Sequence, residues 1–274
     1  MMETLTWKNE EGLQIHAANW SIRHPKAVIA LVHGQGEHFG RYNHVAAWHN
    51  NHGYAVMGFD QQGHGRSGGV RGHARNLDVL LNDIDQFLQK VREKYPDTPI
   101  FLYGHSMGGG EVLTYVLRRD PILAGLIATS PLIRLAFATP KMKVAAGKIL
   151  KHIVPSLTMP TGLAAHFISH DPAVVKAYQN DPLVHGKVSA AAGLALLEMS
   201  KWLDSFSGVF SIPVLLMHGS DDRLTSATAT KEFYGRVAGE VTYQEWPGLW
   251  HETHNEPEKE QVFEFATNWL DRFA

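Results

Sequence analysis

Residues 101–112 read FLYGHSMGGGEV. An apolar run ends at Gly104, one serine sits between Gly104 and Gly108, and two more glycines follow where a helix has to start. Glycine is a poor helix former, so the stretch is either a slack turn or a chain bent hard to present Ser106. Gly104-His105-Ser106-Met107-Gly108 matches G-x-S-x-G, after a strand-like run and before a helical one. That context gives the pattern a mechanism. A sharp strand-to-helix turn strains the backbone at the serine. The residues two before and two after it come too close to carry bulk, which accounts for Gly104 and Gly108. Gly109 and Gly110 are expected to let the helix pack tightly on the sheet. The helix N-terminus aims N–H groups and partial positive charge at the site.

The flanking sequence supplies the frame for such an elbow. "TLTW" and "LQIHAANW" flank a turn-like "KNEEG" and read as a hairpin. Apolar runs at 27–33, 55–60, 99–105, 123–130, 213–219 and 241–246 read as strands covered on both faces. Between them lie helical patterns at 41–50, 77–91, 108–119, 226–238 and 257–273. In 77–91, Leu77, Leu80, Leu81, Ile84, Phe87, Leu88 and Val91 fall three or four apart. Alternating strands and helices predict an α/β fold with a mostly parallel central sheet flanked by helices. Sites in such sheets lie at the carboxyl ends of the strands.

The alternation fails between Ser130 and Ile212. Residues 131–205 hold helical stretches and prolines without a clear strand, and carry eight Lys/Arg against four Asp/Glu. This +4 segment sits in a chain of net charge −2, so the remainder is −6. The expected organisation is a core of 1–130 and 206–274 with a helical cap at 131–205. The 274 residues are 44% hydrophobic and 19% charged, an ordinary composition for a chain with a real core. Nothing in the charge suggests nucleic acid. The absence of cysteine excludes disulfides, a thiolate nucleophile and cysteine metal sites. The polar start has no apolar h-region, and no run approaches a membrane span, so a cytoplasmic protein is expected.

A serine hydroxyl is a weak nucleophile that needs a base, and the base needs an orienting carboxylate. For this motif the chain order is serine, acid, histidine. "PVLLMHGSDDRLT" offers Asp221 and Asp222 past a late strand, and "WPGLWHETHNEP" offers His251 and His254 past the last. Other chemistries fit poorly. Gly34-x-Gly36 lacks the third glycine of a dinucleotide fingerprint, because position 39 is Phe. His251 and His254 are three apart rather than the four of H-E-x-x-H, so neither a metal nor a cofactor is expected. His33 and Gly34 are read as shaping their turn, and His64 as structural.

Five blocks, "LVHGQGEHFGRY", "GFDQQGHGRSGG", "LYGHSMGGG", "LLMHGSDDRLT" and "PGLWHETHNEP", resemble the monoacylglycerol lipase and lysophospholipase branch of the α/β-hydrolases, in the same order. "AYQNDPLVHGKVSA" resembles that family's cap. The likeness runs from about residue 5 to 273. It implies the α/β-hydrolase fold and a serine carboxylester hydrolase that cleaves monoacylglycerols through an acyl-enzyme. It implies Ser106 as nucleophile, Asp222 as acid and His251 as base, with the backbone N–H groups of Gln35 and Met107 as the oxyanion hole. It picks Asp222 as third after Gly219. Asp221, where the family usually has a small neutral residue, adds a charge, and a swapped role stays open. His254 reads as a pocket-lining histidine. Tyr178, Glu37, Arg41 and His254 are implied near the substrate's polar end, with a Glu37–Arg41 ion pair as the competing reading. Lysophospholipids and short esters remain alternative substrates, and a silent binding protein a further alternative. "KMKVAAGKILKHIVP" (141–155) sets Lys141, Lys148, Lys151 and His152 beside Val144, Ala145, Ile149, Leu150 and Ile153. It is either a face for peripheral membrane contact or an ordinary helix packed on the core.

Overall fold

The computed structural model describes residues 2–274, apart from the side chains of Lys141 and Lys143. The chain opens with β1 (Met2–Lys8) and β2 (Gln14–Trp20), an antiparallel hairpin in which Lys8 opposes Gln14. Asn9 builds the turn, its side-chain oxygen accepting from the N–H groups of Glu11 at 3.1 Å and Leu13 at 2.9 Å. Then follow β3 (Ala27–Val32), α1 (Asn43–Asn51), β4 (Tyr54–Asp60), α2 (Leu77–Lys94), β5 (Ile100–His105), α3 (Met107–Arg119) and β6 (Gly125–Thr129). The inserted segment holds α4 (Lys141–Ile153), β7 (Thr158–Pro160), α5 (Pro172–Asn180), β8 (Lys187–Ser189) and α6 (Ala190–Ser205). The chain ends with β9 (Gly208–Val209), β10 (Val214–Gly219), α7 (Ala227–Tyr234), β11 (Val237–Ala238), β12 (Val241–Trp246) and α8 (Lys259–Leu270).

Eight strands form one sheet in the order β1-β2-β4-β3-β5-β6-β10-β12. The pairs of β2 with β1 and β4 are antiparallel, and all others are parallel. The side-chain period of two explains the continuous apolar runs. Val28, Ala30 and Val32 enter the core layer that contains Leu81, Leu102 and Val112, while Ile29 and Leu31 enter the layer of Phe101 and Val262. All seven apolar residues that set the period of α2 are buried. Its Asn76 cap accepts from the Val79 N–H at 3.0 Å.

Three sequence readings need correction. The segment 131–205 is not strand-free, because β7 pairs antiparallel with β8. Three-residue strands are too short to leave a period. The last two helices are also shorter than the patterns, α7 ending at Tyr234 and α8 at Leu270. Finally, tight packing on the sheet is only part of what the helix-start glycines serve: a Cβ at Gly109 would lie 3.3 Å from the Gly104 carbonyl of β5, but both glycines also face other elements. A Cβ at Gly109 would lie 3.0 Å from Pro131, and one at Gly110 would lie 2.6 Å from the Met199 methyl of α6. They admit the strand exit and the last helix of the insertion. Among the described residues no helix is long and apolar enough to cross a membrane.

One core feature runs against stability. Glu111 of α3 is fully buried, and among the described residues neither carboxylate oxygen has a partner in hydrogen-bond geometry, although Gln61 faces it. Burial pushes its carboxyl up to about 8, with Asp83 adding to the rise. The unfolded chain ionises near pH 4.3. Stability is therefore intact below that value and is lost as pH rises toward 8, because only the unfolded state gains from ionisation. Glu111→Gln is expected to raise Tm by roughly 3 °C or more at pH 8, with the gain shrinking toward pH 5. Thermal unfolding at both pH values checks this, and a variant less stable at pH 8 would contradict it.

Candidate functional site

The site lies where β5, β10 and β12 end. β5 hands over to α3 at Ser106, which takes φ 56° and ψ −115°, a conformation that L side chains adopt only under constraint. The surroundings supply that constraint. The Ser106 N–H donates to the Thr129 carbonyl at 2.9 Å, and the Ser106 carbonyl accepts from Gly110 at 3.0 Å and Leu132 at 2.9 Å. A Cβ at Gly104 would stand 2.4 Å from the Gly108 carbonyl, and one at Gly108 would stand 2.4 Å from the Val32 carbonyl. The stretch is thus a stiff elbow. Met107 is the first residue of α3, whose N–H has no partner within its own helix.

Asp222 follows β10 and is saturated with donors. Its Oδ1 accepts from the N–H groups of Leu224 at 2.7 Å and Thr225 at 3.1 Å. Its Oδ2 lies 2.7 Å from His251 Nδ1, 3.0 Å from His218 Nε2 and 2.8 Å from Thr225 Oγ1. Burial opposes the charge, but His251 and His218 outweigh it and hold the carboxyl far below the usual range. An ionised carboxylate has no proton to give, so both imidazoles must donate to it. The neutral His251 then presents a lone pair at Nε2, 2.9 Å from Ser106 Oγ. Burial alone would lower the His251 pKa, but the Asp222 charge and hydrogen bond overcome this and raise it.

The loop exits are pressed together. A Cβ at Gly219 would meet the Leu249 and Trp250 carbonyls at 2.3 Å. Asp221 donates its N–H to Leu249, while its exposed side chain accepts from Ser220 Oγ at 2.7 Å. The carboxylate that meets His251 is therefore Asp222.

Ser106 and His251 border two cavities. The larger, about 400 Å³, runs under the inserted segment and is walled by apolar side chains including Leu135, Val144, Met159, Leu194 and Leu197. The smaller, about 30 Å³, is bounded by Glu37, Tyr178 and Glu252. Gln35 borders both. Its side chain donates to the Lys187 carbonyl at 2.9 Å, and Gly36 next to it accepts from the His185 N–H at 2.8 Å. Arg41 lies behind the small cavity, tied to Glu37 at 2.5 Å and to both oxygens of Glu252 at 2.7 Å, under the Tyr178 ring. The Glu37–Arg41 pair of the competing reading is thus present. His254 packs 4.9 Å from the Tyr42 ring and 4.7 Å from the His105 ring, outside the lining of either cavity. Burial lowers its pKa to about 3, so it stays neutral.

Sequence reasoning missed His218, Thr225, Ser130 and Glu252. His218 is the one imidazole within the β10 run and stands four residues before Asp222, a pattern readable in retrospect. Ser130 Oγ donates to the His251 carbonyl at 2.7 Å and fixes that backbone, which no local pattern announces. Among the described residues no cluster of three or more His, Asp or Glu side chains is arranged to hold a metal ion.

The family model described as serine aminopeptidase, S33, matches residues 23–258. A monoacylglycerol lipase of Mycolicibacterium smegmatis is 36% identical over 90% of this chain and 88% of its own. Phospholipase YtpA of Bacillus subtilis is 34% identical over 93% of this chain and 98% of its own. An uncharacterized abhydrolase domain-containing protein of Dictyostelium discoideum is 40% identical over 98% of this chain, which spans 29% of that relative's length. Among solved structures, a monoacylglycerol lipase of Paleococcus ferrophilus superposes with a TM-score of 0.87 at 30% identity, covering 95% of this chain and 99% of that one.

The Asp222–His251 geometry makes a proton measurement decisive. Removing the Asp222 charge leaves burial, which disfavours the imidazolium, opposed only by the weaker influence of Glu252 and Glu37. Asp222→Asn should therefore lower the His251 titration midpoint by about one pH unit or more, read from its imidazole NMR signals. An unchanged midpoint would mean that the carboxylate does not hold the histidine's charge.

Proposed function

This chain belongs to the serine aminopeptidase S33 family of α/β-hydrolases, and we propose that it is a serine carboxylester hydrolase cleaving monoacylglycerols to glycerol and free fatty acid. The observation that carries this reading is the Ser106–His251–Asp222 chain at the junction of a long apolar cavity and a small polar one. An ester with one acyl chain suits the larger space, which is of ordinary ligand size, and its polar alcohol is directed toward the smaller polar one, which holds about two waters as it stands. The lipase names of the relatives support the same substrate.

In the proposed reaction the acyl chain lies in the 400 Å³ cavity with its carbonyl at Ser106. His251 Nε2 takes the Ser106 proton as Oγ attacks, and Asp222 stabilises the imidazolium that forms. The N–H groups of Met107 and Gln35 receive the oxyanion, a term worth roughly 10²–10³ in rate per donor. His251 returns the proton to the glycerol oxygen as the C–O bond breaks. Water then attacks the acyl-enzyme, giving its proton to His251, which passes it to Ser106 Oγ as the acyl C–O bond breaks and the free acid leaves. Tyr178 and Glu37 border the space for the alcohol, while Arg41 and His254 lie outside its lining, Arg41 bound to Glu37 and Glu252 and His254 packed on His105.

Residues 131–205 act in this reading as the cap that walls the acyl cavity. α4 turns Val144 and Gly147 toward the cavity and leaves Met142, Ile149 and Ile153 at 85%, 62% and 70% exposure. Those apolar tips beside Lys148 and Lys151 support peripheral contact with an anionic bilayer. The side chain of Lys141 lies outside the described residues. A lysophospholipid is the second reading, favoured by the phospholipase among the relatives.

A panel of mono-, di- and triacylglycerols, lysophospholipids and short esters tests the assignment. Monoacylglycerol should turn over fastest, and Ser106→Ala should lose roughly 10⁴-fold or more in kcat. Ester hydrolysis by Ser106→Ala at the wild-type rate would end the mechanism, and faster turnover of lysophospholipid would replace the substrate. The base must be neutral, and its pKa is raised. The acid limb of kcat/KM in wild type should therefore lie above pH 6.5, and a limb well below that value would contradict the role of His251.

A further inference from the structure

Two charged side chains, Glu37 and Glu252, border the small cavity, and Arg41 is bound to both. Glu37, Arg41 and Glu252 are almost fully buried, with 3%, 9% and 3% of their side chains exposed. Glu37 accepts from the Gly34 N–H and the Tyr42 hydroxyl on Oε1 and from Arg41 on Oε2. Every hydrogen bond recorded on it comes from a donor. Burial works against the charge of Glu252, but Arg41 outweighs it and holds that carboxyl at about 2. The cluster is thus two carboxylates and one guanidinium, net −1. Its orientation sharpens the effect. The carboxylate residues border the cavity while Arg41 stands behind them, its guanidinium bound to both and covered by the Tyr178 ring. Among the described residues that border the cavity, none supplies a spare cation. His105 stays neutral through burial and its histidine neighbours, and Tyr178 stays neutral chiefly through burial and the charge of Glu37. Asp222 adds a further negative charge beyond His251.

We propose that the Glu37–Arg41–Glu252 cluster sets head-group charge selectivity, rejecting esters whose alcohol carries a phosphate or carboxylate and admitting neutral polyols. The proposal rests on the reading that the small cavity receives the alcohol of a fatty acyl ester. An anion placed there meets like charge at short range in a poorly screened site, and has no free donor cation to neutralise it. An arginine near the site would ordinarily suggest the opposite preference, since a guanidinium is well suited to phosphate and carboxylate. Here both terminal nitrogens are engaged by the two carboxylates, and the Tyr178 ring covers the guanidinium face.

Esters that differ only in charge test the idea. A 1-monoacylglycerol is compared with the ester of the same acid on glycerate, in which a carboxylate replaces one hydroxymethyl group. Wild type should favour the neutral ester by roughly 10-fold or more in kcat/KM. Glu37→Gln and Glu252→Gln, each removing one negative charge, should each narrow that ratio several-fold, whatever happens to the absolute rates. A measurement on wild type alone guards against variants that fail to fold. The choline ester of the acid should be preferred several-fold over its uncharged isostere, the 3,3-dimethylbutyl ester. Equal use of glycerate and glycerol esters, or no preference for choline, would overturn the charge proposal while leaving the monoacylglycerol reading intact. If a p-nitrophenyl ester is cleaved but neither glycerol nor glycerate ester is, the alcohol reading itself fails, and the proposal with it.

Discussion

A carboxylate cut off from water has to be saturated by donors, and the arrangement of this site follows from how Asp222 meets that demand. Two backbone N–H groups, two imidazoles and one hydroxyl converge on it. Isolated, the buried charge would be strongly unfavourable. Paired, it dictates which nitrogen of His251 carries a proton and which is left to face Ser106. His218 serves the carboxylate from the strand side and Thr225 from the loop side. The contact of His251 with Ser106 is therefore the far end of a network anchored on β10. The close approach of Gly219 to the Leu249 and Trp250 carbonyls keeps acid and base on what is mechanically one unit.

The serine belongs to the neighbouring unit, made of β5, α3 and the exit of β6. Its strained backbone is held by hydrogen bonds to Thr129, Gly110 and Leu132. Ser130 links the two units, because its Oγ reaches the His251 carbonyl while its own carbonyl lies 2.9 Å from Thr225 Oγ1. A residue that forms no part of the reacting chain thus sets the relation between its halves. The left-handed conformation of Ser130, at φ 44°, marks the local constraint this requires.

What the sequence made legible follows from range. The elbow is written in five consecutive residues, and the strands announce themselves by apolar runs, so Ser106 and the sheet were readable without coordinates. The residues alone left Asp221 and Asp222 open, and only the resemblance picked Asp222, since adjacent residues in a loop point where the loop's hydrogen bonds send them. Arg41 shows the same limit. Its presence near the polar end was expected, but its guanidinium turns away from the cavity because Glu252, 211 positions distant, shares it with Glu37. The β7–β8 pair was missed because three residues are too few for a pattern to stand out from a loop. Glu111 was passed over because a single glutamate in a helix is ordinary until three dimensions show it buried with neither oxygen in hydrogen-bond geometry.

The hydrogen bonds from the Gln35 side chain to Lys187 and from His185 to Gly36 change what the inserted segment is. They fasten it to the very turn expected to receive negative charge during reaction. Roof and machinery are therefore not separable modules. A chimera that replaced 131–205 with a foreign segment to obtain a new binding space would also release that turn. Diversification of such an enzyme is more readily achieved by changing side chains on the cavity wall than by exchanging the whole segment.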